Sequence, residues 1–325
     1  MFGSFIHGAQ TLLLGAVLVG GNDAQAQQFP AKPVRAVLPY SAGSGPDTVM
    51  RQISENIAHS WRQPLLIGNK PGANSWIALQ EVKRAAADGY TVLAVDSTPM
   101  TLQPHLYKQL PFDPLKDFEP IASLYSTGFF VVVRAESPWK NVSDLLTATK
   151  KKHVTFGSWG IGSVAHLGLA QLEAATGVEM THVPFKELPM LYAAVATGQV
   201  DWTFGTPASA GPLYRGGKVK LLAYAGPKRL LGFEEVPTME EAGGPRNFEL
   251  RTWLALYTPK GVPSAVSEHI RADVEKALGS PEVLKSFALN GFESWTESPE
   301  RITELIRTDS RKYGEIARRV NISLD

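Results

Sequence analysis

The order of strands, small-residue loops and helices constrains the fold of this chain more than any other feature. "KPVRAVLPY" (32–40) has the apolar pattern of a buried strand, "SAGSGPD" (41–47) is a loop, and an amphipathic helix follows. "PLLIGN", "WIALQEVKRAA" and "GYTVLAV" continue as strand, helix and strand. This βαβαβ order predicts a parallel sheet that is covered by helices on both faces.

The same order begins again in the second half of the chain. "KHVTFGS" is a predicted strand, "WGIGS" a loop and "VAHLGLAQLEAATG" a helix that ends at a glycine. Two long apolar strand patterns, 120–139 and 250–261, are expected to cross between the two α/β lobes as a hinge. "SAVSEHIRADVEKAL" and "SPERITELIRTDSRKYGEIARRV" predict amphipathic helices that return to the first lobe.

The first 26 residues predict a signal peptide. Residues 11–21 are uncharged and mainly apolar, and "AQA" at 24–26 resembles a cleavage site, so we expect export to the periplasm and a mature chain that starts near Gln27. No Lys or Arg precedes the apolar stretch, which departs from the usual pattern. The alternative is a short buried helix, and the stretch is short for a membrane span, which needs about 20 apolar residues.

Charge and cysteine content exclude several classes of function. The 32 Lys and Arg residues nearly balance the 31 Asp and Glu residues, so the formal net charge of +1 gives no reason to expect nucleic acid as a partner. The chain has no cysteine, which excludes disulfides, thiol nucleophiles and cysteine metal sites. The seven histidines show no H-x-H, H-x-x-H or H-E-x-x-H spacing, so we predict no metal and no cofactor.

The loop "GSWGIGSVAHL" (157–167) is compatible with three kinds of site. Gly160, Gly162 and Ala165 match G-x-G-x-x-A, but Glu187, the acidic residue after the next strand, lies somewhat far along for the position that a dinucleotide site needs. The G-x-S-x-G pattern of a hydrolase elbow is missing, although Ser158 or Ser163 with His166 remains an alternative as a serine hydrolase.

The third kind of site is a cradle for an anion. The start of a helix has free N–H groups and a partial positive charge, and glycines let the backbone approach a ligand closely. Both lobes carry such a loop before a helix, with hydroxyl donors added by Ser44, Ser158 and Ser163. Two loops facing each other would bind a carboxylate without a Lys or Arg, whereas the alternative is that both are ordinary tight turns.

Several motifs in one order resemble a known family. They are "PYSAGSGPD" (family "PFPPGGGTD"), "NKPGANS" ("NRPGAGG"), "DGYTVL" ("DGYTLL"), "LYKQLPFDPLKDFEPI" ("LYKKLPYDPVKDFAPV"), "GSVAHLGLAQLEAATGVEMTHVPFKE" ("GTSSHLAGELF…TGV…HVPYKG") and "EVPTMEEAG" ("DVPTVAEAG"). From about Lys32 to the C-terminus, the chain resembles the periplasmic substrate-binding proteins of tripartite tricarboxylate transporters, the Bug receptors.

The resemblance implies an α/β periplasmic binding protein of the two-lobed Venus flytrap type II, with parallel-rich sheets and crossing hinge strands. Lobe 1 would contain 27–125 and 240–325, and lobe 2 would contain 126–239. The two loops would grip one carboxylate of the ligand. By position, the implied ligand contacts are Tyr40, Ser44, Gly45, Asp47, Ser97, Thr98, Ser158, Gly160, Gly162, Ser163 and His166.

The second loop also departs from the family pattern. Trp159 and Ile161 replace a common Ser and Asn, so an apolar or aromatic wall for a ligand ring is predicted, with Trp159 as a further contact. The alternative is that both side chains point away from the ligand. The implied function is a monomeric, non-enzymatic periplasmic receptor for a small organic carboxylate, which it delivers to membrane transporter subunits or reports to a sensor protein.

Overall fold

The computed structural model describes residues 29–151, 153–319 and 322–324, so the predicted signal peptide lies outside the described residues. The described chain forms two sheets. The first has the strand order β11-β4-β10-β3-β1-β2 and the second the order β7-β6-β8-β5-β9. The strands are β1 (Val34–Leu38), β2 (Leu65–Asn69), β3 (Thr91–Asp96), β4 (Phe118–Gly128), β5 (Phe130–Arg134), β6 (Thr155–Ser158), β7 (Thr181–Pro184), β8 (Trp202–Gly205), β9 (Val219–Tyr224), β10 (Arg251–Pro259) and β11 (Glu293–Ser294).

Ten α-helices of the described chain cover these sheets. They are α1 (Gly45–Trp61), α2 (Trp76–Lys83), α3 (Ser97–Thr101), α4 (Val142–Thr149), α5 (Val164–Thr176), α6 (Leu188–Thr197), α7 (Pro207–Arg215), α8 (Ser264–Leu278), α9 (Pro281–Asn290) and α10 (Pro299–Arg319). Separate cores pack against the two sheets, with fully buried Ile53 in one and fully buried Phe156 in the other. We call the part of the chain on each sheet a lobe, numbered as the sheets.

The pairing of the strands matches the two βαβ regions of the sequence. β1 pairs with β2 and β3 in parallel, and β6 pairs with β7 and β8 in parallel. The remaining pairs, which involve β4, β5, β9, β10 and β11, are antiparallel. The two-lobed α/β fold is therefore confirmed, with parallel βαβ parts that are extended by antiparallel strands.

The chain passes between the sheets at two neighbouring points. The long apolar run at 120–139 divides at Phe129 into β4 of the first sheet and β5 of the second, while β10 belongs to the first sheet alone. The backbone carbonyl of Phe129 accepts from the N–H of Ala225, and the carbonyl of Ala225 accepts from the N–H of Leu250. These bonds hold the two crossing segments side by side. The lobe boundaries given above stay predictions.

Candidate ligand-binding cleft

A cavity of about 490 Å³ lies where the two lobes meet. The first lobe lines it with Tyr40, Ser44, Gly45, Pro46, Asp96, Thr98, Tyr125, Thr127, Thr252, Trp253, Leu254 and Phe292. The crossing point and the second lobe line it with Phe129, Trp159, Val164, Leu188, Thr206, Ala208 and Ser209. A molecule held in this cavity would contact both lobes at once.

Three helices begin at the cavity. α1 starts after its N-cap Ser44, α5 after its N-cap Ser163 and α7 after its N-cap Thr206, and the side-chain oxygen of each cap accepts from a backbone N–H in its helix's first turn. The other first-turn N–H groups have no partner within the helix. Together with the helix dipoles, they favour a negatively charged group in this region.

Asp96 and Tyr40 form a fixed pair at the ends of β3 and β1. The Tyr40 hydroxyl donates to Oδ2 of Asp96 at 2.7 Å and accepts from the Asp96 backbone N–H at 2.8 Å. Oδ1 of Asp96 accepts from the backbone N–H of Thr98, so that Asp96 is the N-cap residue of α3. Burial and the neighbouring Asp96 carboxylate raise the pKa of Tyr40 well above its usual value, so its hydroxyl keeps its proton.

Aromatic side chains form much of the cavity wall. The rings of Trp159 and Phe129 are stacked with centroids 5.9 Å apart, and those of Tyr125 and Phe292 are stacked at 4.0 Å. Ile161, the other apolar replacement in the second loop, is 51% exposed and is not part of the cavity lining. Of the two replacements in the second loop, Trp159 thus contributes to the wall and Ile161 does not.

Of the residues predicted to contact the ligand, five line the cavity: Tyr40, Ser44, Gly45, Thr98 and Trp159. Asp47 is only 2% exposed and lies behind the first loop, where Oδ2 accepts from the Gly43 N–H and from Arg51. Burial opposes its ionisation, yet hydrogen bonds from Arg51, Gly43 and Asn69 lower the pKa of Asp47. Ser97 is also buried and its hydroxyl bonds that of Thr252.

With the exception of Trp159, the second-loop residues that were predicted to contact the ligand stabilise the loop from the side that faces away from the cavity. The fully buried Ser158 bonds Nε2 of His182 at 2.6 Å and the Gly160 carbonyl at 2.9 Å. Nδ1 of His166 accepts from the Gly162 N–H at 3.1 Å, and its ring stacks on that of His182 at 3.9 Å. Gly160, Gly162, Ser163 and His166 are outside the cavity lining. Their assignment as ligand contacts stays a prediction.

Burial keeps both imidazole rings behind the second loop neutral. It lowers the pKa of His166, and burial together with the neighbouring His166 lowers the pKa of His182 to about 4. His182 was not singled out by the sequence, because nothing in its local pattern distinguishes it. Its role depends on β7 pairing with β6 in register, which places His182 opposite Phe156 and close to Ser158.

Sequence reasoning did not identify several of the residues that line the cavity, although a local pattern indicates two of them. "FGTPAS" has the strand, Thr cap and Pro of a third strand-to-helix start, and Thr206 and Ser209 lie there. Asp96, Tyr125, Thr252 and Phe292 come together only through the fold.

Within the described residues, no group of three or more His, Asp or Glu could hold a metal ion. No helix of the described part has the length and apolarity to span a bilayer.

Residues 49–322 match the family described as tripartite tricarboxylate transporter family receptor, TctC. The chain belongs to this family. It is 30% identical over 317 residues to the UPF0065 protein in the gbd 5' region of Cupriavidus necator, covering 97% of this chain and 95% of that one.

Two solved structures of the same kind resemble this TctC-family chain. Rpa4515 of R. palustris with adipate is 26% identical, with a TM-score of 0.81 over 91% of this chain and 100% of that one. MatC from Rhodopseudomonas palustris with bound malate is 28% identical, with a TM-score of 0.75 over 89% and 99%. The chain is thus a solute-binding receptor, and its predicted non-enzymatic role is confirmed.

Because the chain is a solute-binding receptor, the serine hydrolase alternative is wrong. The hydrogen bonds of the two serines are consistent with this conclusion. Ser158 has no exposed surface and bonds His182 rather than His166. Ser163 accepts from the backbone N–H of His166, so its hydroxyl caps α5.

Proposed function

We propose that this TctC-family protein is a periplasmic receptor for a small organic carboxylate with an apolar or aromatic body, which it delivers to a tripartite tricarboxylate-type transporter. The observation that carries this proposal is the cavity shared by both lobes, where α1, α5 and α7 begin. Export through the predicted signal peptide, with a mature chain that starts near Gln27, belongs to the same proposal.

Backbone N–H groups favour a carboxylate as the anchored group. No Lys, Arg or His is among the described residues that line the cavity, so the first turns of the helices and the hydroxyl of Ser44 would provide the donors. The adipate and malate of the two structural relatives are carboxylates, which supports the same chemistry here.

The wall of the cavity favours an apolar body attached to that carboxylate. Trp159, Phe129, Tyr125 and Phe292 present aromatic surface, which gains free energy by covering apolar area of a ligand. Ligand contacts to both lobes would stabilise a closed arrangement over an open one, because those contacts exist only when the lobes approach. Uptake of the bound carboxylate by cells with and without the gene separates delivery to a transporter from sensing.

Calorimetry with acids and their primary amides tests the carboxylate assignment. We expect hexanoate and 4-ethylbenzoate to bind at least about tenfold more tightly than hexanamide and 4-ethylbenzamide, because a hydrogen bond to a charged group is worth about 1.5–3 kcal/mol. Trp159→Ala should weaken binding of 4-ethylbenzoate about tenfold, and the matched control Ile161→Ala should leave it unchanged. Equal affinities for acid and amide would contradict the proposal.

A further inference from the structure

Asp96 gives the cavity an unexpected charge for a carboxylate receptor. Among the described residues that line the cavity, it is the one with a formal charge, and that charge is negative. A ligand with two carboxylates would bring a like charge into a partly enclosed space beside Asp96. Like charges at short distance are costly there because little water screens them.

The position of the Asp96 carboxylate is fixed by the surrounding groups. Oδ2 accepts from the Tyr40 hydroxyl at 2.7 Å and Oδ1 accepts from the Thr98 N–H at 2.8 Å. An ionised carboxylate has about four acceptor positions, so each oxygen can accept a further donor. Asp96 also supplies the anion at the start of α3, which leaves the starts of α1, α5 and α7 for the ligand's carboxylate.

The surroundings of Asp96 favour a cation. Six of the lining residues are aromatic: Tyr40, Tyr125, Phe129, Trp159, Trp253 and Phe292. Aromatic rings attract ammonium groups through their π-faces, and an adjacent carboxylate adds to that attraction. The nearby Arg251 does not supply the missing positive charge, because it is paired with Glu293 at 2.5 Å, hydrogen-bonded to Ser126 and outside the cavity lining.

We infer that the ligand is a zwitterion, an organic carboxylate that also carries a positively charged nitrogen, with the nitrogen held beside Asp96 and the aromatic wall. This inference rests on the proposed function, since it assumes that a carboxylate is anchored at the helix starts. A zwitterion with no net charge can place one end at the helix starts and the other at Asp96, so each end meets a complementary partner.

A matched series of acids tests the inference. Hexanoate, 5-aminopentanoate and adipate differ only in the group at the sixth position, which is a methyl, an ammonium or a carboxylate. The aromatic series 4-ethylbenzoate, 4-(aminomethyl)benzoate and 4-(carboxymethyl)benzoate varies the same group on a ring. By calorimetry, we expect the ammonium member of at least one series to bind about tenfold or more tighter than its neutral and dianionic counterparts.

The variant Asp96→Asn identifies the group responsible. Asn keeps the shape and can still accept from Thr98, so thermal melts should show a folded protein. We expect the preference for the ammonium member to fall at least about tenfold and the dianion to bind more tightly. Asp273→Asn, which removes an acid that bonds Trp61 outside the cavity lining, should change neither.

The outcomes separate this inference from the proposed function. If the neutral or dianionic acids bind as tightly as the ammonium acids, and Asp96→Asn leaves that order unchanged, the zwitterion is overturned and the carboxylate receptor stands. If the amides of the neutral acids bind as tightly as the acids, the carboxylate anchor fails, and the inference fails with it.

Discussion

At the scale of single residues, the two stacked imidazoles behind the second loop make the loop sensitive to acid. Nε2 of His182 bonds the buried Ser158 hydroxyl, and Nδ1 of His166 accepts from the Gly162 N–H. An imidazole accepts through a ring nitrogen only while that nitrogen is unprotonated. Protonation of both rings would remove the Gly162 bond and place two positive charges 3.9 Å apart.

The pKa of His182 predicts how stability changes with pH. Its pKa is lowered from 6.5 to about 4, so below pH 6.5 the unfolded chain binds a proton that the folded chain does not. The contribution of the neutral His182 ring to stability is fully present above pH 6.5, and it is lost as pH falls from 6.5 towards 4. At pH 4.5, two units below 6.5, we expect a loss of roughly 2 kcal/mol in the free energy of unfolding, since one pKa unit corresponds to about 1.4 kcal/mol and partial solvent exposure of the ring reduces the effect.

Urea unfolding at pH 7.5 and pH 4.5 measures this loss. His182→Gln should lose less stability between the two pH values than the wild type does, whereas the control His59→Gln, at an exposed position, should behave as the wild type. An identical pH dependence in His182→Gln and the wild type would show that this ring does not control acid stability.

At the scale of elements, the cap residues of α5 and α7 have the same local geometry but different positions in the cleft. The Ser163 side chain accepts from the His166 N–H and the Thr206 side chain from the Ser209 N–H, both at 3.3 Å. Thr206 lines the cavity and Ser163 does not. Removing either cap should cost about 1 kcal/mol of stability, because a first-turn N–H loses its partner.

Binding should distinguish the two caps. We expect Ser163→Ala to keep the wild-type affinity for 4-ethylbenzoate within about twofold, while Thr206→Ala weakens it several-fold. Thermal melts and calorimetry on both variants provide the two measurements. A larger loss of affinity in Ser163→Ala than in Thr206→Ala would place the ligand against the second loop, as the family resemblance implied.

At the scale of the whole molecule, an apolar cluster joins the lobes beside the cleft. Leu102 and Leu106 of the first lobe pack with Leu167 of α5 and with Tyr313 and Ala317 of α10. Burial of these side chains stabilises the arrangement in which the lobes touch.

Gly162 of the second loop lies against this cluster. Its φ is +72°, and an added Cβ would lie 2.6 Å from Cδ1 of Leu106. We therefore expect Gly162→Ala to push the Leu106 side chain aside and loosen the contact between the lobes, which should increase the radius of gyration in small-angle scattering and weaken ligand binding. Gly177→Ala is the matched control, since its φ is +70° and an added Cβ would meet nothing within 4 Å.

Both variants should carry similar backbone strain, of about 1–2 kcal/mol. Only Gly162→Ala should change the radius of gyration, because only there would the added Cβ contact a side chain of the other lobe. The same radius of gyration and affinity in both variants would mean that the Leu106 contact does not hold the lobes together.

The sequence by itself determined the order of elements, the two loops at strand ends and the family. These depend on local patterns, such as the alternation of "KPVRAVLPY", the helical spacing after Ser44 and the motifs from Lys32 onward. It also indicated Ser44 and Gly45 through the loop before the first helix, Tyr40 and Thr98 through the family resemblance, and Trp159 through its departure from the family pattern.

Only the tertiary structure decided which side chains of the loops reach the cavity and which are buried behind it. Ser158 and Asp47 have the polar character of ligand contacts, yet His182 and Arg51 already bind them. Asp96, Thr252 and Phe292 are far apart in sequence and meet only when the β10–β3 pairing and the packing of α9 are formed. Local patterns cannot contain such contacts, because burial and charge at one residue depend on neighbours that only the folded chain brings near.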